Sequence, residues 1–199
     1  MHTLLIRWGG DEQELVRKIA RTAIRVGRAA EATTMYQGSI RQSPEVTVHN
    51  WKIGGGWVAE VRLTFDGQAS AIYLNVQSPE AETEARVFGE FARRLEAIPV
   101  EEVLADVVRE GDEDPQQYVR LALATGADYS EEVKELVSAS LRDGQPNRRR
   151  GAALAVGLLL WPEFLDGVVE ALEVETDEGN RALMTVAYRQ ITAGPPQLT

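Results

Sequence analysis

Cysteine is absent from this 199-residue chain, which removes disulfides, thiolate metal sites and cysteine nucleophiles together and agrees with a reducing, cytoplasmic setting. Histidine is almost absent. His2 and His49 alone are too few for the usual zinc sets and for most imidazole-based catalysis. Long apolar runs are missing as well: residues 151–161 form the longest, 11 residues where a bilayer span needs about 20, and they read as a buried helix. The opening MHTLLIRWGGDEQ lacks the basic segment, apolar stretch and small-residue cleavage site of a secretory signal. Neither export nor membrane insertion is expected. Lysine is scarce, at positions 18, 52 and 134, against 18 arginines, a bias that points to a GC-rich bacterial genome.

What the chain does contain is an ordinary globular mixture, 44% apolar and 26% charged, which speaks against disorder. At roughly 150 residues per domain, the length suits one large domain or two small ones. Charge decides between them. Residues 1–98 carry 12 basic and 12 acidic side chains, whereas residues 99–199 carry 9 and 19, so the whole net charge of −10 lies in the second half. Mixed strand and helix patterns also give way to helical spacing alone after Pro99. The expected division is therefore 1–98 and 99–199.

In the first half, residues 3–8 have the length of a buried strand, closed by Gly9 and Gly10. Asp11 with Glu14 three residues on has capping-box spacing, and Leu15, Ile19, Ala23 and Val26 repeat at helical intervals. Three or four strands should follow. Residues 45–53 alternate at Val46 and Val48; Trp57, Ala59, Val61, Leu63 and Phe65 alternate more strongly; Asp66-Gly67 reads as a hairpin turn into residues 70–76. Pro79 then opens a second helix with Ala85, Phe88, Phe91, Ala92 and Leu95 on one side. This order implies an α+β domain, an antiparallel sheet covered by helices on one face.

The second half shows internal repetition. Segments beginning at Asp114, Asp143 and Asp177 each place an acidic residue and a polar turn before an arginine and a small-residue apolar helix. The arginines are Arg120, Arg150 and Arg181. Amphipathic second helices lie between them, over residues 130–142 and 162–174, with starts at Ser130 and Pro162. The pattern resembles the short HEAT-like helical repeats of phycobilisome-lyase-related and other bacterial repeat proteins, over residues 114–190, or 77 of 199. That resemblance implies an all-α helical-repeat domain. It also implies a structural role for Arg120, Arg150 and Arg181, paired with Asp114, Asp143 and Asp177, in tying neighbouring repeats together.

No catalytic, metal or cofactor residues emerge. His49 reads as a half-exposed strand residue, and Gly54-Gly55-Gly56 as a hairpin, since it lacks GxGxxG spacing and a following helix. The acidic segments 101–114 and 163–178, with seven acidic side chains each, admit three readings: a solvated face, a surface for a basic protein, or a cation site. Asp112, Glu113 and Asp114 before Pro115 do not match a calcium loop. Phosphate would be repelled, so direct nucleic-acid binding is not expected.

Arg148 and Arg149 beside Arg150 fall in a helix's first turn, where the dipole disfavours cations. One of them is expected to pair with Asp143 or with acidic groups on the next repeat, and the other to hold an anion or a partner carboxylate. The partner-binding set on this reading is Arg148, Arg149, Glu170, Glu173 and Asp177. The expected function is a cytoplasmic protein-interaction module or adaptor of a bacterial system, for example an immunity-type protein binding a basic partner, and not an enzyme. Two alternatives remain open: a small-molecule sensor whose sheet pocket is lined by Trp51, Trp57, Phe65 and Tyr73, and a carboxylate-dependent enzyme.

Overall fold

Residues 2–54, 58–126 and 128–193 are described by the structure, a computed structural model. The chain falls into two units, Met1–Ile98 and Pro99–Thr199. The first mixes strands and helices, and the second is helical throughout.

Unit 1 contains strands β1 (His2–Leu5), β2 (Thr34–Arg41), β3 (Val46–Ile53), β4 (Ala59–Asp66) and β5 (Ala71–Gln77), all antiparallel, in the order β1-β5-β4-β3-β2. Helices α1 (Glu12–Ala29) and α2 (Ala81–Ala92) pack on the sheet. α1 starts where the Asp11 side chain accepts the Glu14 N–H at 3.1 Å, the interaction that satisfies one of the unpaired donors of a helix start. Its Leu15, Ile19, Ala23 and Val26 meet Val61, Leu63, Leu74 and Val76 of the sheet and Val87 and Phe91 of α2 in one apolar cluster.

Strand register sets which side chains join that cluster, since each strand alternates its faces. Trp51 lies opposite Val61, and Leu63 opposite Leu74, so β3 turns His49, Trp51 and Ile53 toward the helices. Val46 and Val48, the residues whose alternation marks the strand in the sequence, occupy its other face. At the turn into β5, Asp66 Oδ1 accepts the N–H groups of Gln68 and Ala69, both at 3.0 Å. The free edge of β1 is partly taken by the end of the unit: Arg7 N–H donates to the Glu96 carbonyl at 2.8 Å and Ile98 N–H to that of Leu5 at 2.9 Å. On the opposite edge, β2 shifts register between Tyr36 and Gly38, where Gly38 takes φ +103°. That value lies in the region open to glycine and strained for other residues.

Unit 2 contains α3 (Val100–Glu110), α4 (Gln116–Thr125), α5 (Glu131–Ser140), α6 (Pro146–Leu159), a short 3-10 turn (Pro162–Phe164), α7 (Leu165–Val174) and α8 (Glu178–Ala193). Each odd-numbered helix packs on the even-numbered helix that follows it, and α6 lies between α4 and α8. Small residues permit that central position. Gly151, Ala152, Ala153 and Ala155 of α6 are buried, and a Cβ on Gly151 would stand 2.3 Å from Cδ2 of Tyr118 on α4. Tyr118 is itself buried and donates to Ser140 Oγ of α5 at 2.8 Å; burial pushes its phenol pKa up. The 151–161 run is thus a core helix and its exit. Among the described residues no helix is long and apolar enough to cross a membrane.

Candidate functional site

The loops that precede α4, α6 and α8 gather most of the polar residues singled out in unit 2. Each acidic turn residue accepts a backbone N–H at or next to the helix start that follows it. Asp114 Oδ1 accepts from Gln116 N–H at 3.0 Å, Asp143 Oδ1 from Gln145 N–H at 2.8 Å, and Asp177 Oδ1 from Asn180 N–H at 2.8 Å. A backbone donor at a helix start needs such an acceptor, so one oxygen of each carboxylate is engaged in local structure, while Asp177 remains exposed.

The arginines divide the work differently from the sequence expectation. Arg149 donates its Nε to Glu175 Oε2 at 2.7 Å and its second guanidinium nitrogen to Oε1 at 3.0 Å, and it also reaches the Asp143 carbonyl at 2.9 Å. It therefore joins the loop before α6 to the end of α7. Glu175 is 2% exposed. The Arg149 guanidinium overcomes the upward pull of burial and, with the N–H groups of Asp177 and Thr176, holds the Glu175 carboxyl down at about 2. Arg148 pairs with Asp112 and donates to the Val108 carbonyl at 3.2 Å. Arg148 and Arg149 of the expected partner-binding set are thus engaged inside the unit, and Asp112 and Glu175 supply the carboxylates that offset a cation at a helix N-terminus.

Arg150, expected to tie repeats, is exposed and makes no hydrogen bond or ion pair among the described residues. Consecutive helical positions point about 100° apart, so three adjacent arginines cannot share one partner, and the third faces solvent. Arg181 is also exposed, yet it donates to the Glu175 carbonyl at the end of α7. Arg120 donates to Gln117 Oε1 at 3.2 Å within its own helix rather than to Asp114, and its Nε is buried without a partner.

A more regular link was missed in the sequence. Asn147 Nδ2 donates to the Asp112 carbonyl at 2.9 Å, and Asn180 Nδ2 to the Pro146 carbonyl at 3.0 Å. Each asparagine sits in the first turn of its own helix and reaches back to the preceding helix pair, Asn147 to the α3–α4 loop and Asn180 to the start of α6. The signal was the Asn-Arg dipeptide, at 147–148 and 180–181. Aligning the segments on Arg150 and Arg181 concealed it by two residues.

Of the expected acidic contacts on α7, Glu170 accepts from Arg142 at 2.8 Å, and Glu173 is exposed without a partner. A denser set of free carboxylates lies between α3 and α5. There a groove of about 560 Å³ is walled by Leu104, Ala105, Val108 and Leu136 together with Glu101, Glu132 and Glu135. Spacings of three, four and seven residues bring these side chains to one face of each helix. All three glutamates are exposed and make no hydrogen bond or ion pair among the described residues. Val108 is 59% exposed. The groove therefore combines an apolar patch with three uncompensated negative charges.

Among the described residues, Trp51, Phe65 and Tyr73, expected to line a sensor's sheet pocket, do not share one face of the sheet. Trp51 is 2% exposed within the helix-facing core, and Phe65 packs against the same cluster. Tyr73 pairs with Thr64, on the opposite face; burial pushes its hydroxyl pKa up. Trp57, like Gly55 and Gly56 of the expected hairpin, lies outside the described residues. His49 is enclosed by Tyr36, Trp51 and Phe65, with its Nδ1 2.9 Å from the Tyr36 hydroxyl.

Among the described residues, no group of three or more histidine, aspartate and glutamate side chains is placed to hold a metal ion. No family model, no curated protein and no solved structure matches this chain.

Proposed function

We propose that this chain is a protein-binding module that takes a basic, amphipathic segment of a partner into the α3–α5 groove. One observation carries the reading: Glu101, Glu132 and Glu135 stand unpaired around Leu104, Val108 and Leu136, while Arg142, Arg148 and Arg149 of the same unit are drawn into internal contacts. Apolar side chains between glutamates match a segment that alternates lysine or arginine with leucine-like residues, the helix-in-groove mode of recognition. Complementary charge of this kind raises the association rate more than it lowers the dissociation rate.

The helix pairs and the Asn147 and Asn180 links support reading unit 2 as a short HEAT-like repeat array. The absence of cysteine supports a cytoplasmic setting, and the arginine bias supports a bacterial source. On this reading the protein is an adaptor or immunity-type partner of a cationic protein and not an enzyme.

The test uses the full chain and a labelled helical peptide of leucine and lysine, beside its leucine and glutamate counterpart. Saturable binding of the basic peptide alone is expected. E101Q/E132Q/E135Q should abolish it, and association should slow as ionic strength rises from about 0.01 to 0.15 M, where the screening length falls from roughly 30 to 8 Å. Equal binding of both peptides, or an unchanged affinity in the triple variant, would overturn the assignment. E173Q serves as the control on α7 and should leave binding intact.

A further inference from the structure

A second concavity lies within unit 1, where the last turns of α1 pass α2. Val26 and Ala29 of α1, with Ala30 at its end, Val58 ahead of β4, and Val87 of α2 enclose about 250 Å³. This is just under the range of about 300–1,000 Å³ common for small-ligand pockets, so an occupant must be small. Its origin is local. Ala29 and Ala30 carry too little side chain to fill the gap between the helices.

Two guanidinium groups line the same space, Arg25 from α1 and Arg86 from α2. Both are exposed, and neither makes a hydrogen bond or ion pair among the described residues. The one carboxylate lining the cleft among the described residues, Glu90, accepts from Arg94 at 2.6 Å and also pairs with Arg93. Its charge is compensated by those neighbours. The cleft therefore presents an apolar wall and an excess of positive charge contributed by two different helices. Paired arginines are suited to carboxylate and phosphate oxygens, because each guanidinium offers several N–H donors in a fixed plane.

We propose that this cleft binds a small amphipathic anion, a carboxylate or phosphate monoester with a short aliphatic tail. The tail lies against Val26, Val58 and Val87, and the anionic head meets Arg25 and Arg86. The site is separate from the α3–α5 groove and does not depend on the partner reading.

The experiment titrates the full chain with octanoate, octyl phosphate, octanol and octylammonium while following the methyl resonances of Val26, Val58 and Val87. Both anions share the required chemistry, and their relative affinities distinguish a carboxylate from a phosphate as the preferred head. At least one anion should give saturable shifts below about 10 mM, with octanol about tenfold weaker and octylammonium without effect. R25Q/R86Q, which alters two exposed side chains, should keep the wild-type unfolding temperature and bind the anions no better than octanol. Octanol binding as tightly as both anions, a double variant that retains wild-type anion affinity, or no saturable shift in that range would each overturn the proposal.

Discussion

Unit 1 and unit 2 solve the same packing problem with different bonds. In unit 1 the sheet carries long-range order in its backbone. β3 pairs with β4 and β4 with β5 along their lengths, and one apolar cluster fills the space behind them. In unit 2 the helices use most of their backbone donors and acceptors internally, and among the described residues no backbone-to-backbone hydrogen bond joins one helix pair to the next. That register falls to side chains. Gly151 admits Tyr118, Asn147 and Asn180 reach back to the preceding helix pair, and Arg149 clasps Glu175. The comparison teaches that polar residues which resemble a binding set in sequence can be the fasteners of a helical stack.

The largest test of this contrast is Phe91→Ala. Phe91 is fully buried in the unit 1 cluster, and the change should cost about 3–5 kcal/mol in a denaturation experiment read by hydrogen exchange in unit 1.

Glu175→Gln comes next in unit 2. It leaves Arg149 half-buried without its carboxylate, and because Arg149 keeps some exposure the loss should fall at the low end of the about 3–5 kcal/mol for breaking a buried charge pair. The wild-type pair also carries a pH signature. Because the folded carboxyl is held near 2, below its ordinary value, its stabilisation is complete above the usual carboxylate range and is lost as pH falls toward about 2. Urea midpoints measured from pH 6 downward should show that acid-side decline in the wild type, and a shallower one in Glu175→Gln.

Gly151→Ala should be destabilising by about 1–3 kcal/mol through overpacking against Tyr118, although alanine favours a helix by about 1 kcal/mol over glycine. A thermal shift upward would show that α4 and α6 can separate at no cost. The smallest effect belongs to Arg150→Ala. As an exposed residue with no internal partner it should change stability by less than about 0.5 kcal/mol, and a loss comparable to that of Glu175→Gln would restore it as a repeat fastener.

Local chemistry made much of the architecture legible. Asp11 and Glu14 marked the start of α1, Ser130 that of α5, whose side chain accepts the Val133 N–H, and the Ala59, Val61 and Leu63 alternation marked β4. These signals act over a few residues. Facing was harder to read in β3, because Val46 and Val48 stood out more clearly than His49, Trp51 and Ile53, and a one-residue change of phase exchanges the faces of a strand. In the RRR run, identical residues meet different surroundings only after α6 has been seated. Composition therefore identified the arginines without revealing which would meet Glu175. The α3–α5 groove was likewise hidden. Glu101 lies in the acidic stretch 101–114 and Glu132 in the amphipathic segment 130–142, and their proximity depends on the pairing of helices, not on either segment.

The two borders of the sheet have a further consequence for behaviour at high concentration. An open strand edge is a template on which another chain can add by backbone hydrogen bonding, and natural proteins blunt such edges with bulges or by covering them. Residues 96–98 occupy part of the β1 edge, while the Gly38 bulge interrupts β2 in mid-strand. An incoming strand that matched residues 34–36 would fall out of step with residues 38–41. The exposed Met35, Tyr36 and Ile40 side chains can therefore coexist with resistance to fibre-like growth, and the single glycine at position 38 is the residue on which that resistance turns.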